Sequence, residues 1–391
     1  MEIFLAGPVR TATAGFNGAF AEVPATALGA AVVRAALERS GIRSDTVDEV
    51  LLGNVLNAGL GQNPARQATL GAGLPVAVGA TTVSKVCGSG LKSVMLAAQS
   101  VRCGDASIIV AGGMENMTRA PYLLEKARNG YRMGHAELID SLIRDGLCDA
   151  YDSTHMGLGG DLCATHYGFT REQQDDFAVE SHHRARAAID AGFFAEEIVP
   201  VEAPSGKDRV QIVEDEQPRR FNEEKLRKLR PAFGSDGTVT AGNASSINDA
   251  AAALVVLSSD MCDQLGSTPH ARILGYATAS REPQWFTRAP IDALHKLMDR
   301  LSITIADVDL FEINEAFAVV PMAAMKELDI PHEKVNVHGG AIALGHPIGA
   351  SGARTLVTLL HAMKRREAKI GVTVLCVGGG EAVAMAVELV R

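Results

Sequence analysis

The chain has 391 residues, of which 47% are hydrophobic, and its 46 acidic and 37 basic side chains leave a formal charge of -9. That length can bury large cores and predicts two or three compact units, while the acidic balance speaks against a nucleic-acid binder, which presents a basic face. No apolar run is long and unbroken enough to span a bilayer, and six cysteines without a paired spacing predict a reduced, cytoplasmic protein without disulfides.

The chain opens on an apolar, strand-like run at residues 1–5, without the basic start and long apolar stretch of a secretory signal. The first reactive motif is Val86-Cys87-Gly88-Ser89-Gly90, and residues 87–97 pass from a glycine turn into an apolar pattern of helical period. Residues 107–115 then read as a buried strand ending in Gly112-Gly113-Met114-Glu115. From about residue 118 to 245 the composition turns charged and irregular, with a helix expected over 171–188, and the segment reads as an inserted lid. Inside it Arg219, Arg220, Lys225, Arg227, Lys228 and Arg230 cluster, relieved by Glu223 and Glu224. This describes either a solvated helix of mixed charge or a positive rim that attracts a polyphosphate tail. Residues 239–249 lead into an apolar strand, 250–257, that returns to the first half.

The second half repeats the first. Residues 349–359 match 87–97 as a glycine turn followed by a helix, and the strand 372–381 ends in glycines as 107–115 does. Two such pairings in the same order point to duplicated α/β halves. Each half then sets a glycine turn at the start of its central helix. Cys87 lies in the first turn, and His346 lies just upstream of the second.

Cys87, His346 in Gly345-His346-Pro347, and Cys376 in Cys376-Val377-Gly378-Gly379-Gly380 are the candidate reactive side chains. A cysteine nucleophile needs a partner that takes its proton, and neighbouring glycines admit substrate and backbone N–H groups. The helix start is expected to give Cys87 thiolate character. A second cysteine has no place in a simple hydrolase, but a Claisen condensation needs a base for a C–H proton. Cys103, Cys148, Cys163 and Cys262 read as small buried hydrophobes. His135, His166, His182, His183, His270, His295, His332 and His361 read as structural, since no spacing among them makes a metal site.

Taken together and in order, Cys87-Gly88-Ser89-Gly90, the block 112–117, Asn314-Glu315-Ala316-Phe317, the block 339–352 and the Cys376 motif resemble the signature blocks of the thiolases, the acetyl-CoA acetyltransferases. The resemblance implies an α/β thiolase fold, with duplicated βαβαβ-type halves in a five-layer αβαβα arrangement and an inserted loop domain. The implied division is 1–117 plus 246–268 for the first half, 118–245 for the loop domain over the CoA site, and 269–391 for the second half. It implies ping-pong chemistry in which Cys87 takes an acyl group from acyl-CoA, with His346 accepting its proton. Cys376 then deprotonates a second acetyl-CoA, or protonates the departing enolate in thiolysis. Asn314 is expected to hold a water that stabilises the enolate oxygen with His346, and the backbone N–H groups of Cys87 and Gly378 to form the other oxyanion hole. His155, Met156, Arg219, Phe233 and Ser245 are expected to border the pantetheine or nucleotide. Coenzyme A is then substrate and product, with no prosthetic group or metal, and the partners are acyl-CoA and CoA in a homo-oligomer, at least a dimer and by expectation a tetramer. Residues 130–140, 143–147 and 155–157 resemble the short-chain acetoacetyl-CoA thiolases.

Several positions keep a second reading. Asn314 reads equally as a helix cap, and Met156 and Phe233 read equally as core. His338 stands where many thiolases have asparagine, and Ala250 and Ala382 stand in place of glycines. The alternative functions are a longer-chain 3-ketoacyl-CoA thiolase, a ketoacyl synthase of related fold, a thioesterase using Cys87 and His346 alone, and a non-catalytic acyl-CoA-binding module.

Overall fold

The computed structural model describes residues 1–390. In chain order, the first half contributes β1 (Ile3–Thr11), α1 (Ala25–Ser40), β2 (Glu49–Gly53), α2 (Pro64–Gly71), β3 (Gly79–Val83), α3 (Ser89–Cys103) and β4 (Ile108–Asn116). A long connection carrying α4 (Met156–Tyr167) and α5 (Arg171–Asp190) leads to β5 (Asn248–Ser258). The second half follows with β6 (Ala271–Ser280), α6 (Ala289–Leu301), β7 (Leu310–Ile313), α7 (Val319–Leu328), α8 (Ile348–Arg366), β8 (Ile370–Val377) and β9 (Glu381–Leu389).

The strands order as β1-β5-β4-β2-β3 in the first half and β7-β8-β9-β6 in the second. Every residue of β5 is buried, as suits a continuous apolar run covered on both faces. It returns to the first half by pairing antiparallel with both β1 and β4. A short antiparallel contact, Phe4 with Arg272 and Leu5 with Ala271, joins β1 to β6. The two halves therefore share one hydrogen-bonded sheet order, a seam that the repeat pattern does not announce.

Three large apolar clusters define the layers. α1 and α2 pack on one face of the first sheet. α3 and α8 fill the space between the two sheets. α6 and α7 cover the outer face of the second. The central position of α8 shows in its burial, since residues 348–363 are all buried, Ser351, Arg354, Thr355, Thr358 and His361 among them. Where α3 and α8 meet, glycine is a steric requirement. A Cβ at Gly90 would lie 2.7 Å from Ala353 N, and one at Gly352 would lie 2.3 Å from Leu91 N. This close crossing brings the starts of both central helices together.

The departures from the glycine pattern are accommodated in the strands. Ala250 pairs with Glu115 across β5 and β4, and Ala382 pairs with Cys376 across β9 and β8. Both lie in ordinary extended backbone, so a Cβ costs nothing there. His338 is buried beside Phe193 and Phe194, with ring centroids at 5.2 and 6.2 Å. It packs there and does not line the cavity described next.

Candidate active site

Both central helices point their starts into one cavity of about 490 Å³. Cys87, His346, Cys376 and Gly378 all line it. Cys87 sits on a tight turn in which Gly88 N donates to Lys85 O and Ser89 N donates to Val86 O. Val86 is held at φ 44, a left-handed conformation that costs a β-branched residue of the order of 1–3 kcal/mol. The strain is localised one residue before the reactive sulfur.

Burial pushes the Cys87 thiol up to about 11, although the backbone N–H groups of Gly378 and of Cys87 itself approach the sulfur and offset part of this. This corrects the expectation of a standing thiolate. The helix start does not outweigh the loss of hydration, so the resting group is a thiol. The same N–H groups remain suited to an oxyanion formed beside the sulfur. Cys376 ends β8, is 1% exposed, and is held well above the ordinary thiol range by burial and then by the neighbouring Cys87.

His346 is placed from several sides. Its backbone N–H donates to Asn248 Oδ1 at 2.9 Å. Gly345 before it adopts φ +99, and a Cβ there would strike the Asn248 side chain at 2.5 Å. Its Nδ1 lies 2.5 Å from Ser351 Oγ, whose own hydroxyl donates to Pro347 O at 2.8 Å. With that proton committed, Ser351 accepts from Nδ1–H, and Nε2 is left as a bare lone pair. Nε2 is buried without a partner among the described residues. Burial, with the Arg354 charge as a lesser cause, lowers the imidazole to about 3. The resting pair is therefore thiol and neutral imidazole.

Asn314 is 1% exposed, and neither its Oδ1 nor its Nδ2 has a partner among the described residues. The following helix starts at Val319 without a side-chain cap. The cap reading is thus excluded, and Asn314 itself does not line the cavity, which Ala316 and Phe317 from the same motif do.

Among the expected cofactor contacts, His155, Met156, Phe233 and Ser245 line the cavity. His155 and Phe233 stack at 4.4 Å. Arg219 does not line it. It is an exposed side chain paired with Asp190 and Glu214 at 2.6 and 2.7 Å. Its neighbours follow suit, Arg220 with Glu216, Arg227 with Asp176 and Glu223, and Lys228 with Glu224. The cluster is chiefly a solvated surface of paired charge. Cys163 and Cys262 are buried as expected, but Cys103 is exposed and Cys148 half-buried.

Sequence reasoning missed Phe16 and Gln217 at the cavity wall, together with Met117, Phe286 and Ile348. Phe16 and Gln217 come from segments without any motif. Ile348 directly follows Pro347 and could have been found from the His346 block.

Residues 3–260 match the family profile "Thiolase, N-terminal domain", and residues 267–389 match "Thiolase, C-terminal domain". The chain belongs to the thiolase family. It is 52% identical to an acetyl-CoA acetyltransferase of Pseudomonas aeruginosa over 386 residues, 98% of either chain. It is 53% identical to one from Escherichia coli over 382 residues, 97% of either. Among solved structures, the Bacillus anthracis acetyl-CoA acetyltransferase superimposes with a TM-score of 0.97 at 40% identity, covering 100% of this chain and 99% of that one. A thiolase of Ascaris suum in complex with coenzyme A superimposes with a TM-score of 0.95 at 40% identity over 100% of both chains.

Proposed function

We propose that this thiolase catalyses the reversible Claisen condensation of two acetyl-CoA to acetoacetyl-CoA and CoA, with thiolysis as the reverse. The observation that carries the reading is the opening of Cys87, His346 and Cys376 into one cavity, with the bare Nε2 of His346 available as base. A hydrolase has no use for Cys376 at this place, and full-length relatives named acetyl-CoA acetyltransferase favour the two-carbon donor.

In the first half-reaction Nε2 of His346 takes the Cys87 proton as the sulfur attacks the thioester carbon. The tetrahedral oxyanion forms against the N–H groups of Cys87 and Gly378. Collapse expels CoA thiolate, which leaves with the proton from His346. Cys376 passes its thiol proton to the His346 imidazole as the second acetyl-CoA binds and then removes the α-proton of that acetyl-CoA; the enolate oxygen lies by the His346 imidazolium and the Asn314 side chain, and the departing Cys87 sulfur takes the proton back from His346. The enolate carbon then attacks the acyl-Cys87 carbonyl and releases the sulfur. His155, Met156, Phe233 and Ser245 border the pantetheine arm. Arg219, outside the cavity, is given no step in this reading.

We assign residues 118–245 to a loop domain over this site, between halves formed by 1–117 with 246–268 and by 269–391. The assembly is a homo-oligomer, at least a dimer and in our reading a tetramer. Exposed apolar side chains in that loop, including Tyr122, Met133, Leu138 and Tyr151, support a partner surface. Six free cysteines suit work in a reducing cytoplasm. The direct test is mass analysis after incubation with acetyl-CoA alone. An acetyl adduct on Cys87 is expected, and an unmodified Cys87 with free acetate would point to a hydrolase.

A further inference from the structure

Cys87 and His346 ride on different helices, so their separation depends on how the two frameworks are tied. Glu115, near the end of β4, bonds to both. It is fully buried. Its Oε1 accepts from Asn54 Nδ2 at 2.7 Å and from Leu56 N at 3.2 Å. Its Oε2 accepts from Val55 N at 3.0 Å and from Gly349 N at 2.9 Å. Three of these donors belong to the loop after β2, in the first half. The fourth belongs to the first turn of α8, three residues past His346. Glu115 itself does not line the cavity, and no step of the reaction uses it.

We propose that Glu115 is a positioning residue whose carboxylate locks the start of α8 to the 54–56 loop and thereby fixes His346 relative to Cys87. The inference rests on the reading of Cys87 and His346 as the reacting pair. Two further contacts support it. A Cβ at Gly349 would meet Glu115 Oε2 at 2.7 Å, so the carboxylate approaches this turn as closely as a glycine permits. Leu56 packs with Ile348 in the apolar cluster that also takes in Cys87, so the same lock shapes the wall beneath the sulfur. A glutamine cannot replace the group, since its NH₂ would face N–H donors where an acceptor is required.

The test compares wild type with Glu115→Gln, and with Asn54→Ala, which removes one donor and leaves the carboxylate held by its three backbone N–H groups. Three quantities are measured in each, kcat for thiolysis, KM for CoA, and the rate at which iodoacetamide alkylates Cys87. Glu115→Gln is expected to lower kcat about tenfold or more, with alkylation slowed in step and KM for CoA within about twofold. Asn54→Ala is expected to shift kcat and alkylation the same way by about threefold. Loss of packing alone would weaken substrate binding or thermal stability without slowing alkylation of the unliganded enzyme. Both variants within about twofold of wild type in kcat, or a loss carried by KM, would overturn the inference. Wild-type turnover that survives alkylation of Cys87 would instead overturn the reading of the pair.

Discussion

At the residue scale, the reactive pair is neutral at rest. A thiol pushed up to about 11 and an imidazole lowered to about 3 leave no standing ion pair at physiological pH, so the proton moves only as the sulfur attacks. Alkylation of Cys87 by iodoacetamide is therefore expected to be nearly flat from about pH 6 to 9, the behaviour of base-assisted attack by an un-ionised pair. A limb at the ordinary thiol value of about 8.5 would show an independently ionising cysteine. Ser351 fixes the tautomer that makes this possible. Ser351→Ala should lower kcat by about tenfold or more at nearly unchanged KM, and kcat within twofold would remove Ser351 from the account. The reactive residues were legible because glycines frame each of them. Ser351 was not, since a serine in a helical run carries no sign of whose nitrogen it accepts from. The state of Cys87 was misjudged for a physical reason. Sequence shows a helix start but not the depth at which the sulfur is buried.

At the element scale, the repeat was legible and its consequence in space was not. Residues 87–97 and 349–359 become the starts of α3 and α8; the strand expected at 250–257 falls within β5, that at 107–115 falls in β4 apart from residue 107, and of that expected at 372–381 only 372–377 lie in β8, the glycines turning the chain into β9. The helix expected over 171–188 runs from Arg171 to Asp190, opened by a capping box from Thr170 and Gln173. The seam between β1 and β6 escaped because two paired residues leave no periodic signal. The crossing of the central helices is the element-level feature on which the site depends. Gly352→Ala would drive a Cβ to 2.3 Å from the backbone N of Leu91, and neither helix has room to retreat between the sheets. A destabilisation of roughly 1–3 kcal/mol is expected, visible as a lower midpoint in thermal unfolding together with reduced kcat. Unchanged stability would mean that the two helices slide more freely than their packing implies.

At the scale of the whole molecule, buried ionisable groups set the dependence of stability on pH. Burial lowers His182, His270 and His338 to about 4, and His346 to about 3. These stay neutral in the fold but charge in the unfolded chain, so the stability they lend is present above about pH 6.5 and is lost as pH falls toward their folded values. Burial raises Glu115 to about 7 and Glu312 to about 8. Their contribution has the opposite sense, full below the unfolded value near 4.5 and lost as pH rises through 7 and 8. The unfolding midpoint is thus expected to decline between about pH 6 and 8.5, with Glu312→Gln flattening the part above pH 7. A variant curve parallel to wild type would contradict the assignment. The buried ion pairs of Arg10 with Glu197 and Asp215, at 2.6 and 2.7 Å, tie β1 to the segment between β4 and β5. Asp215→Ala should cost roughly 3–5 kcal/mol in denaturant unfolding, and a loss under about 1 kcal/mol would show that the pair is dispensable. The central claim is that one cysteine carries the acyl group and another moves the carbon-bound proton. Its most direct test follows CoA-dependent loss of the acetoacetyl-CoA enolate absorbance in wild type, Cys87→Ala and Cys376→Ala, with acetyl transfer from acetyl-CoA to the enzyme measured alongside. The account predicts turnover in wild type alone, with acylation abolished in Cys87→Ala and retained in Cys376→Ala; full thiolysis by Cys376→Ala, or an inert wild type, would contradict it.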